Sequence, residues 1–584
     1  MRVGIGRLGV GAAALVVLLV SGMPRTLASD RPSGTAPHVF LFTIQVAGLS
    51  DLMGTAGFLG LAQHGGAGVL VSAPQGSAAT ELRRAFGRAR GAVPGVVPVD
   101  LGSVADRHGR PSAAKLDAAA RQVADTLKFL GEDSLVFVAA EPVAPIPGDL
   151  GAVVMAEGIG SDLAAAIGRP GTAVAGSLTS DSTRRDGVVT SADVAHTAIA
   201  AAGTSEQTIH DVGGAQIRVV PGPPPTGLVD RYAQYRRLTV PIGTAAALYV
   251  TIGGLLAVLA LAWRRSPRWL RAITAGIAIS APVLALALLL VGHLPSLTAA
   301  SVVTFLVAVT ALGTLALVPI ARRRGSLTAI AVAGSGLLIA FAIEAALGWT
   351  AALTPMLGGS QLDGGRFFGL PNAFIGLLLG GSVYVAQRLP RVWGTALIAA
   401  VGLFAGSPWT GSNIGAAVTL FAGAGIWWGL RGEQPWTRTV AASAVSVLAG
   451  TGLVVFAHRY LTSAPTHITR FAESTGGIAG LWHKLVDRLG VGVDLIRANP
   501  FALVPVIGVI ATLVLVLRPT PPVRITFVEA PVWKAALLTI VIASLFAYLV
   551  NDSGAAAIGE GFTTSLAALL YVSLLRRNGI MEEA

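Results

Sequence analysis

From Val240 onward the chain is built of apolar runs, each long enough to cross a lipid bilayer. The hydrocarbon layer is about 30 Å thick, so a spanning helix needs about 20 predominantly apolar residues. Such runs occupy residues 240–263, 271–292, 297–319, 327–349, 370–386, 392–407, 412–430, 439–457, 500–517, 533–550 and 556–575. In lipid each backbone N–H and C=O must find its partner within the protein, which makes α-helix the expected conformation. Residues 239–578 therefore predict an all-α polytopic membrane bundle of about 11 helices. The runs 370–386 and 392–407 are short, which predicts tilt or partial re-entry. Charged residues make up 12% of the chain, about half of the roughly 25% usual in soluble domains. An ionised side chain at the bilayer centre costs at least ~2.5 kcal/mol, so this depletion is what a bilayer demands.

The net charge of +12 is carried by arginines in the short loops between apolar runs. That placement marks an insertion signal, not a nucleic-acid surface, so nucleic acid is excluded as a partner and the lipid bilayer is the expected one. With the N-terminal region outside, odd-numbered runs lead inward. The loops after them carry Arg264, Arg265, Arg268 and Arg271; Arg322, Arg323 and Arg324; Arg388 and Arg391; Arg431 and Arg438; Arg518 and Arg524; and Arg576 and Arg577. This bias predicts a multi-pass cell-membrane protein with an extracytoplasmic N-terminal domain and a cytoplasmic C-terminus.

Residues 1–28 have Arg2 and Arg7, an apolar stretch from Leu8 to Val20, and a weak cleavage site before Ser29. They read either as a signal peptide or as an uncleaved N-terminal anchor, and both export the residues downstream. Residues 29–238 read as a soluble α/β domain. Strands are expected at residues 38–44, 68–72, 96–99, 134–140, 152–156 and 187–190, alternating with helical stretches. Leu116, Ala119, Val123, Leu127 and Leu130 recur at helical spacing in one such stretch. The alternation predicts a mainly parallel sheet covered on both faces. Residues 216–220 and a Pro-rich segment at 221–225 then lead into a polar neck, 232–237. The chain has no cysteine, which excludes disulfides, thiolate metal sites and a Cys nucleophile.

Two tracts suggest an origin for the exterior domain. One is the strand 39–48 followed by Thr55-Ala56-Gly57-Phe58-Leu59-Gly60-Leu61-Ala62-Gln63-His64-Gly65. The other is Ser182-Thr183-Arg184-Arg185-Asp186-Gly187-Val188-Val189-Thr190-Ser191-Ala192-Asp193 and the stretch after it. Over residues 38–203 the domain resembles the alkaline phosphatase-like superfamily, whose active members hold two divalent metals with Asp and His ligands. That resemblance implies an alkaline phosphatase-like α/β fold. It also implies an Asp after the opening strand and an Asp-His pair after a later one. Here those positions hold Ala47 and Glu141-Pro142. Ser77 or Thr80 falls in the nucleophile region, without metals to activate its hydroxyl. The expectation is a metal-free, non-hydrolytic domain (a pseudoenzyme) that needs no cofactor. Arg184 and Arg185 are candidates to clamp an anionic group, or they belong to a solvated loop.

The whole chain also resembles a group of uncharacterised actinobacterial integral membrane proteins that pair a degenerate phosphatase-like exterior domain with a many-helix bundle. The likeness rests on residues 182–187, on Gly365-Arg366-Phe367-Phe368-Gly369-Leu370-Pro371-Asn372, and on Val550-Asn551-Asp552-Ser553-Gly554. It implies no particular reaction.

By the expected topology, Asp363, Arg366, Asn372, Asn413, Asn551 and Asp552 lie at the outer membrane edge, with Glu344 and Glu560 inside spans. Intramembrane carboxylates face a partner or a polar cavity. Glu344 or Glu560 paired with Arg366 satisfies the first reading, and an outward-opening binding pocket satisfies the second. The longest bundle loop, 458–499, is exterior and carries His467 and Arg470. Residues 480–489 in it read as a surface-lying amphipathic helix, while His467 and Arg470, with Asp552, are weak candidates for catalysis on an anionic lipid group. The expected function is a cell-envelope protein that binds or processes a lipid-linked envelope intermediate, with a lipid-linked glycan, phospholipid or other envelope proteins as partners. The alternatives are a membrane glycan-transferring or phospho-transferase enzyme, and a secondary transporter.

Overall fold

The computed structural model describes residues 38–45, 49–71, 96–105, 110–128, 130, 133–141, 150–168, 176–203, 214–263, 266–357, 359–363, 368–462, 468, 503–551 and 572. The segment 1–28, Ala47, Ser77, Thr80, nearly all of the loop 458–499, and the last run, 556–575, lie outside them. The described residues fall into two compact units. One runs to Gln234 and includes the separate segment Gln361–Phe368; the other holds Tyr235–Ser360 and the residues from Gly369 onward.

The first unit is α/β. Its eight-stranded sheet has the order β3-β1-β4-β5-β2-β6-β8, with β7 paired to β2. The strands are β1 (His38–Gln45), β2 (Gly65–Val71), β3 (Val96–Ser103), β4 (Asp133–Glu141), β5 (Gly151–Ile159), β6 (Gly176–Ser180), β7 (Val188–Thr190) and β8 (Ile217–Val220). All six expected strands are present. The sheet is mixed, not mainly parallel. β1 pairs parallel with β3 and β4, and β2 pairs parallel with β6 and β7. β5, however, runs antiparallel to both β4 and β2, and β8 is antiparallel to β6. The connection from β4 to β5, residues 142–150, is shorter than the dozen or so residues a parallel crossover needs, so the chain reverses into a hairpin. Alternation of strand and helix in the sequence concealed this, because no helix fits between those two strands.

The sheet is covered on both faces. Val39, Leu41, Leu135, Phe137, Met155 and Leu178 pack with Val194, Ala198 and Ile199 of the helix Ser191–Ala201. The alternate residues Phe40, Phe42 and Ile44 point to the opposite face and are equally buried. The helices Ala56–Gln63, Ala113–Leu127 and Gly160–Gly168 pack on one another there, closely enough that a Cβ on Gly57 would lie 2.7 Å from that of Ala120. In Ala113–Leu127 the buried stripe is Leu116, Ala119, Ala120, Val123 and Leu127. Leu130 falls past the helix end. The residues of the polar neck, 232–237, are helical and fall within Thr226–Ala262.

The second unit is helical. Among the described residues, seven helices are long and apolar enough to cross a membrane. The apolar stretches Asn372–Ala386 and Arg391–Gly406 are shorter. Ten of the eleven expected spans coincide with helices, and the eleventh lies outside the described residues. Burial sorts the helices. Trp436–Tyr460 has only 6% of its most apolar window buried, against 72% for Ile414–Arg431. Val440, Val445, Leu448, Leu453 and Phe456 cover the exposed surface of the former, as expected of a lipid-facing helix. The short helix Ile375–Ala386 is buried at every residue but Val385. It has no lipid to match in thickness, so its length of 12 residues is tolerated. Small residues permit this depth. A Cβ on Gly334 would stand 2.7 Å from the Gly381 carbonyl oxygen, and one on Gly425 would stand 2.3 Å from the Ser443 Cα. Such backbone proximity is how helices associate where apolar burial offers little advantage over lipid.

Candidate functional site

In the α/β unit, polar chemistry centres on Asp193. Thr190 caps the helix Ser191–Ala201 with a reciprocal capping box: its hydroxyl accepts from the Asp193 N–H at 3.1 Å, and the Asp193 carboxylate accepts from the Thr190 N–H at 2.8 Å. The same carboxylate also accepts from the Ser180 hydroxyl at 2.8 Å, the Ser182 hydroxyl at 2.7 Å and the Ala215 N–H at 2.8 Å. It is fully buried. A buried carboxylate is tolerated when its lone pairs are filled by donors, and the helix N-terminus adds a favourable field. Asp193 thereby ties the strand β6, the turn after it and the entry to β8 to one point.

That turn carries the two arginines. Thr183 donates to the Val188 carbonyl at 2.7 Å, and Thr179 donates to the Arg185 carbonyl at 3.1 Å. These bonds hold Arg184 at φ +53°, a conformation a non-glycine residue adopts only when its surroundings impose it. The Arg184 guanidinium lies 5.2 Å from the ring centroid of Phe368, and Arg185 donates to the Gln361 side-chain oxygen. Burial pushes the Arg184 guanidinium below its ordinary value, and neighbouring Asp181 opposes this. Asp181 also pairs with Arg218. Neither Arg184 nor Arg185 is a freely solvated loop residue. Arg184 engages Phe368 and Arg185 engages Gln361, so the tract 182–187 meets Phe368 of the tract 365–372.

In the helical unit, short connections make successive helices antiparallel and give the bundle two chemically distinct ends. Arg268, Arg271, Arg322, Arg323, Arg324, Arg388, Arg391, Arg431, Arg438, Arg518 and Arg524 all fall at one of them. Arg388 donates to the Thr328 hydroxyl, and Arg391 stacks on Trp428, contacts that bring neighbouring helix ends together.

The opposite end carries fewer charges among the described residues: Arg236, Arg237, Arg459 and the Glu344 carboxylate. Asn413 caps the helix Ile414–Arg431, accepting from the Ala416 N–H at 3.0 Å. Its amide nitrogen donates to the Leu370 carbonyl and to the Asn372 side-chain oxygen, both at 2.9 Å. The backbone closes the same junction, with the Leu370 N–H donating to the Gly411 carbonyl at 2.7 Å. Asn551 is buried at the end of Pro531–Val550 and donates to the Ala547 carbonyl at 3.0 Å. It packs so tightly on Gly415 that a Cβ there would fall 1.8 Å from its side-chain oxygen. Glu344, 1% exposed, pairs with His293 and accepts from the Ala351 N–H at 3.2 Å. Trp349, at φ +62°, donates its indole N–H to the Thr410 carbonyl. His458 is buried against the Gly406 carbonyl at 2.8 Å.

Asn372, Asn413 and Asn551 therefore share one end of the bundle with Glu344, as expected. The carboxylate of Glu344 is engaged by His293 and a backbone N–H. Arg366, the expected partner, lies outside the described residues, as do His467, Arg470, Asp552, Glu560 and the side chain of Asp363. Three of these hydrogen-bonded groups are not singled out by the sequence: Asp193, His293 and Trp349. Thr190 followed three residues later by Asp193 is a capping-box spacing, which makes the first legible in principle. His293 precedes Glu344 by 51 residues, a separation that only the packing of helices closes. Among the described residues no group of three or more His, Asp or Glu side chains is placed to hold a metal. The chain matches no family model, no curated protein and no solved structure.

Proposed function

We propose that this is a multi-pass cell-envelope protein whose α/β domain is extracytoplasmic, phosphatase-like and non-hydrolytic. Its bundle binds or processes a lipid-linked envelope intermediate at the end opposite the arginines. The observation that carries this reading is the excess of arginines at one end of the bundle, eleven there among the described residues against Arg236, Arg237 and Arg459 at the other. An arginine-rich end is the cytoplasmic end under the positive-inside bias, which turns the Asn413, Asn551 and Glu344 end outward. Polar and ionisable groups at membrane depth are retained against a cost, and function is the usual reason. The non-hydrolytic half is supported by Asp193. Its carboxylate is filled by two hydroxyls and two backbone N–H groups, leaving little capacity for a cation.

Purified full-length protein, supplied with zinc or manganese, should hydrolyse p-nitrophenyl phosphate no faster than buffer does. Metal-dependent hydrolysis abolished by a chelator overturns the non-hydrolytic half. Cells carrying Arg366→Ala should accumulate or lose a lipid-linked envelope species. Normal envelope composition in both Arg366→Ala and Asn413→Ala cells sinks the second half.

A second reading, the secondary transporter, draws support from one feature. The buried helix Ile375–Ala386 follows the one-turn helix Asn372–Phe374 and precedes the short Arg391–Gly406. Interrupted, half-length helices surrounded by protein are where transporters hold substrates. Uptake or efflux of a radiolabelled solute by reconstituted vesicles, absent from empty ones, decides for that reading.

A further inference from the structure

Among the arginines of the bundle's charged end, Arg391 is held differently. Its Cζ lies 3.6 Å from the centroid of the Trp428 ring, a stacked geometry worth on the order of 1 kcal/mol that fixes the guanidinium plane. Its other side is bounded by the Gly432 backbone. A Cβ at that glycine would stand 2.2 Å from Cζ and from Nη1, so the guanidinium lies directly over the glycine. The Nε of Arg391 is buried and has no hydrogen-bond partner among the described residues. Its neighbours are provided for, Arg388 by the Thr328 hydroxyl and Arg438 by the Gln434 side-chain oxygen at 3.3 Å. Glu433, the adjacent carboxylate, is exposed at φ +52° and forms no ion pair among the described residues.

A half-buried guanidinium held flat against a ring, with its Nε unpartnered among the described residues, is a seat for an oxyanion. Its fork matches two phosphate oxygens, which a lysine's point charge cannot do. Its position selects the source of the phosphate. Trp393, 63% exposed, and Trp436, 56% exposed, lie beside it at the same helix ends. Exposed tryptophans at the ends of apolar helices mark the headgroup level of a bilayer. We propose that Arg391, clamped between Trp428 and Gly432, binds the headgroup phosphate of a bilayer phospholipid at the arginine end of the bundle. The proposal requires only that the bundle spans a membrane. It is independent of any lipid-linked intermediate at the opposite end.

The test is native mass spectrometry of the full-length protein in detergent, titrated with phosphatidylglycerol. Wild type should retain a phosphatidylglycerol that Arg391→Ala binds about tenfold more weakly, the loss expected for one charge-assisted bidentate contact. Arg391→Lys keeps the charge without the fork and should fall between the two. Arg438→Ala should match wild type. Equal retention by wild type and Arg391→Ala overturns the proposal. So does an equal loss in Arg438→Ala, which would reduce the site to net charge. Full displacement of the lipid by millimolar inorganic phosphate overturns it too, by assigning the seat to a soluble anion.

Discussion

Among the described residues, each unit of this protein has a buried polar group that gathers several hydrogen bonds, and the two groups solve the same problem in opposite ways. In the α/β unit a full negative charge, Asp193, gathers four donors from three chain segments. In the helical unit the corresponding organiser is a neutral amide, Asn413, which acts as donor twice and acceptor once. The difference stems from the surroundings. The sheet domain offers a helix N-terminus and free backbone N–H groups, which stabilise an anion. A membrane bundle has spent its backbone groups inside its helices, so an anion there lacks donors and an amide can satisfy itself against carbonyls at helix ends. The single described carboxylate buried in the bundle, Glu344, bears this out by having a histidine of its own.

The comparison is broken most severely at Asp193. Asp193→Ala leaves the Thr190 and Ala215 N–H groups and two serine hydroxyls without their shared acceptor. At about 1–3 kcal/mol per orphaned buried group, with partial relaxation, the expected loss is about 4 kcal/mol. Asp193→Asn keeps one acceptor oxygen and sets an NH2 against the remaining donors, so it should cost only slightly less. Thermal denaturation of the full-length protein in detergent checks both. An asparagine variant as stable as wild type would show that the charge is not what the centre requires.

Glu344→Ala comes next, at about 3 kcal/mol, because it leaves the buried Ala351 N–H without its acceptor and removes the contact with the solvent-accessible His293. His293→Ala alone should cost less than Glu344→Ala, and the double variant should be less destabilised than the sum by roughly 1 kcal/mol, since both changes remove one interaction. Additive effects in that cycle would mean that the pair does not couple. At Asn413 the direction of the hydrogen bonds gives a sharper test. Aspartate is normally as good an N-cap as asparagine. Here Asn413→Asp turns two donated bonds into contacts of a carboxylate with the Leu370 carbonyl and the Asn372 side-chain oxygen. It should cost about 3 kcal/mol, against about 2 kcal/mol for Asn413→Ala. If Asn413→Asp is the milder change, the amide is acting only as a cap.

How much of this is legible in the sequence depends on the range of the signal. The apolar runs announce helices at ten of eleven places because a spanning helix depends on its own residues and on lipid thickness. The stripe Leu116, Ala119, Val123 and Leu127 is legible for the same local reason. The antiparallel β5 is visible only through the length of the connection before it. The polar layer at one end of the bundle is half legible. Topology puts Asn372, Asn413 and Asn551 at one level, but which amide bonds which carbonyl, and that Glu344 meets His293, depends on helix neighbours that periodicity does not specify. The arginines mislead in another way. Read as a charged loop, Arg184 and Arg185 offer an anion clamp or a solvated turn, whereas Phe368 and Gln361, almost two hundred positions away, engage them.

The smallest expected effect lies at Arg184, where two terms of similar size oppose each other. At φ +53° an arginine bears a left-handed backbone cost of about 1 kcal/mol that glycine does not. Its guanidinium contact with Phe368, half-buried, returns on the order of 1 kcal/mol. Arg184→Gly removes both and should leave stability within about 0.5 kcal/mol of wild type. Arg184→Ala keeps the strain and loses the contact, and should be destabilised by about 1 kcal/mol. Phe368→Leu should reproduce the alanine result in the Arg184 background and change little in the Arg184→Gly background. The ordering of these three variants in thermal denaturation matters more than their size. If glycine proves worse than alanine, the turn is held by something other than the guanidinium. The contrast with Asp193, eleven residues downstream of Ser182 and hydrogen-bonded to that turn from the helix Ser191–Ala201, would then rest on backbone bonds alone.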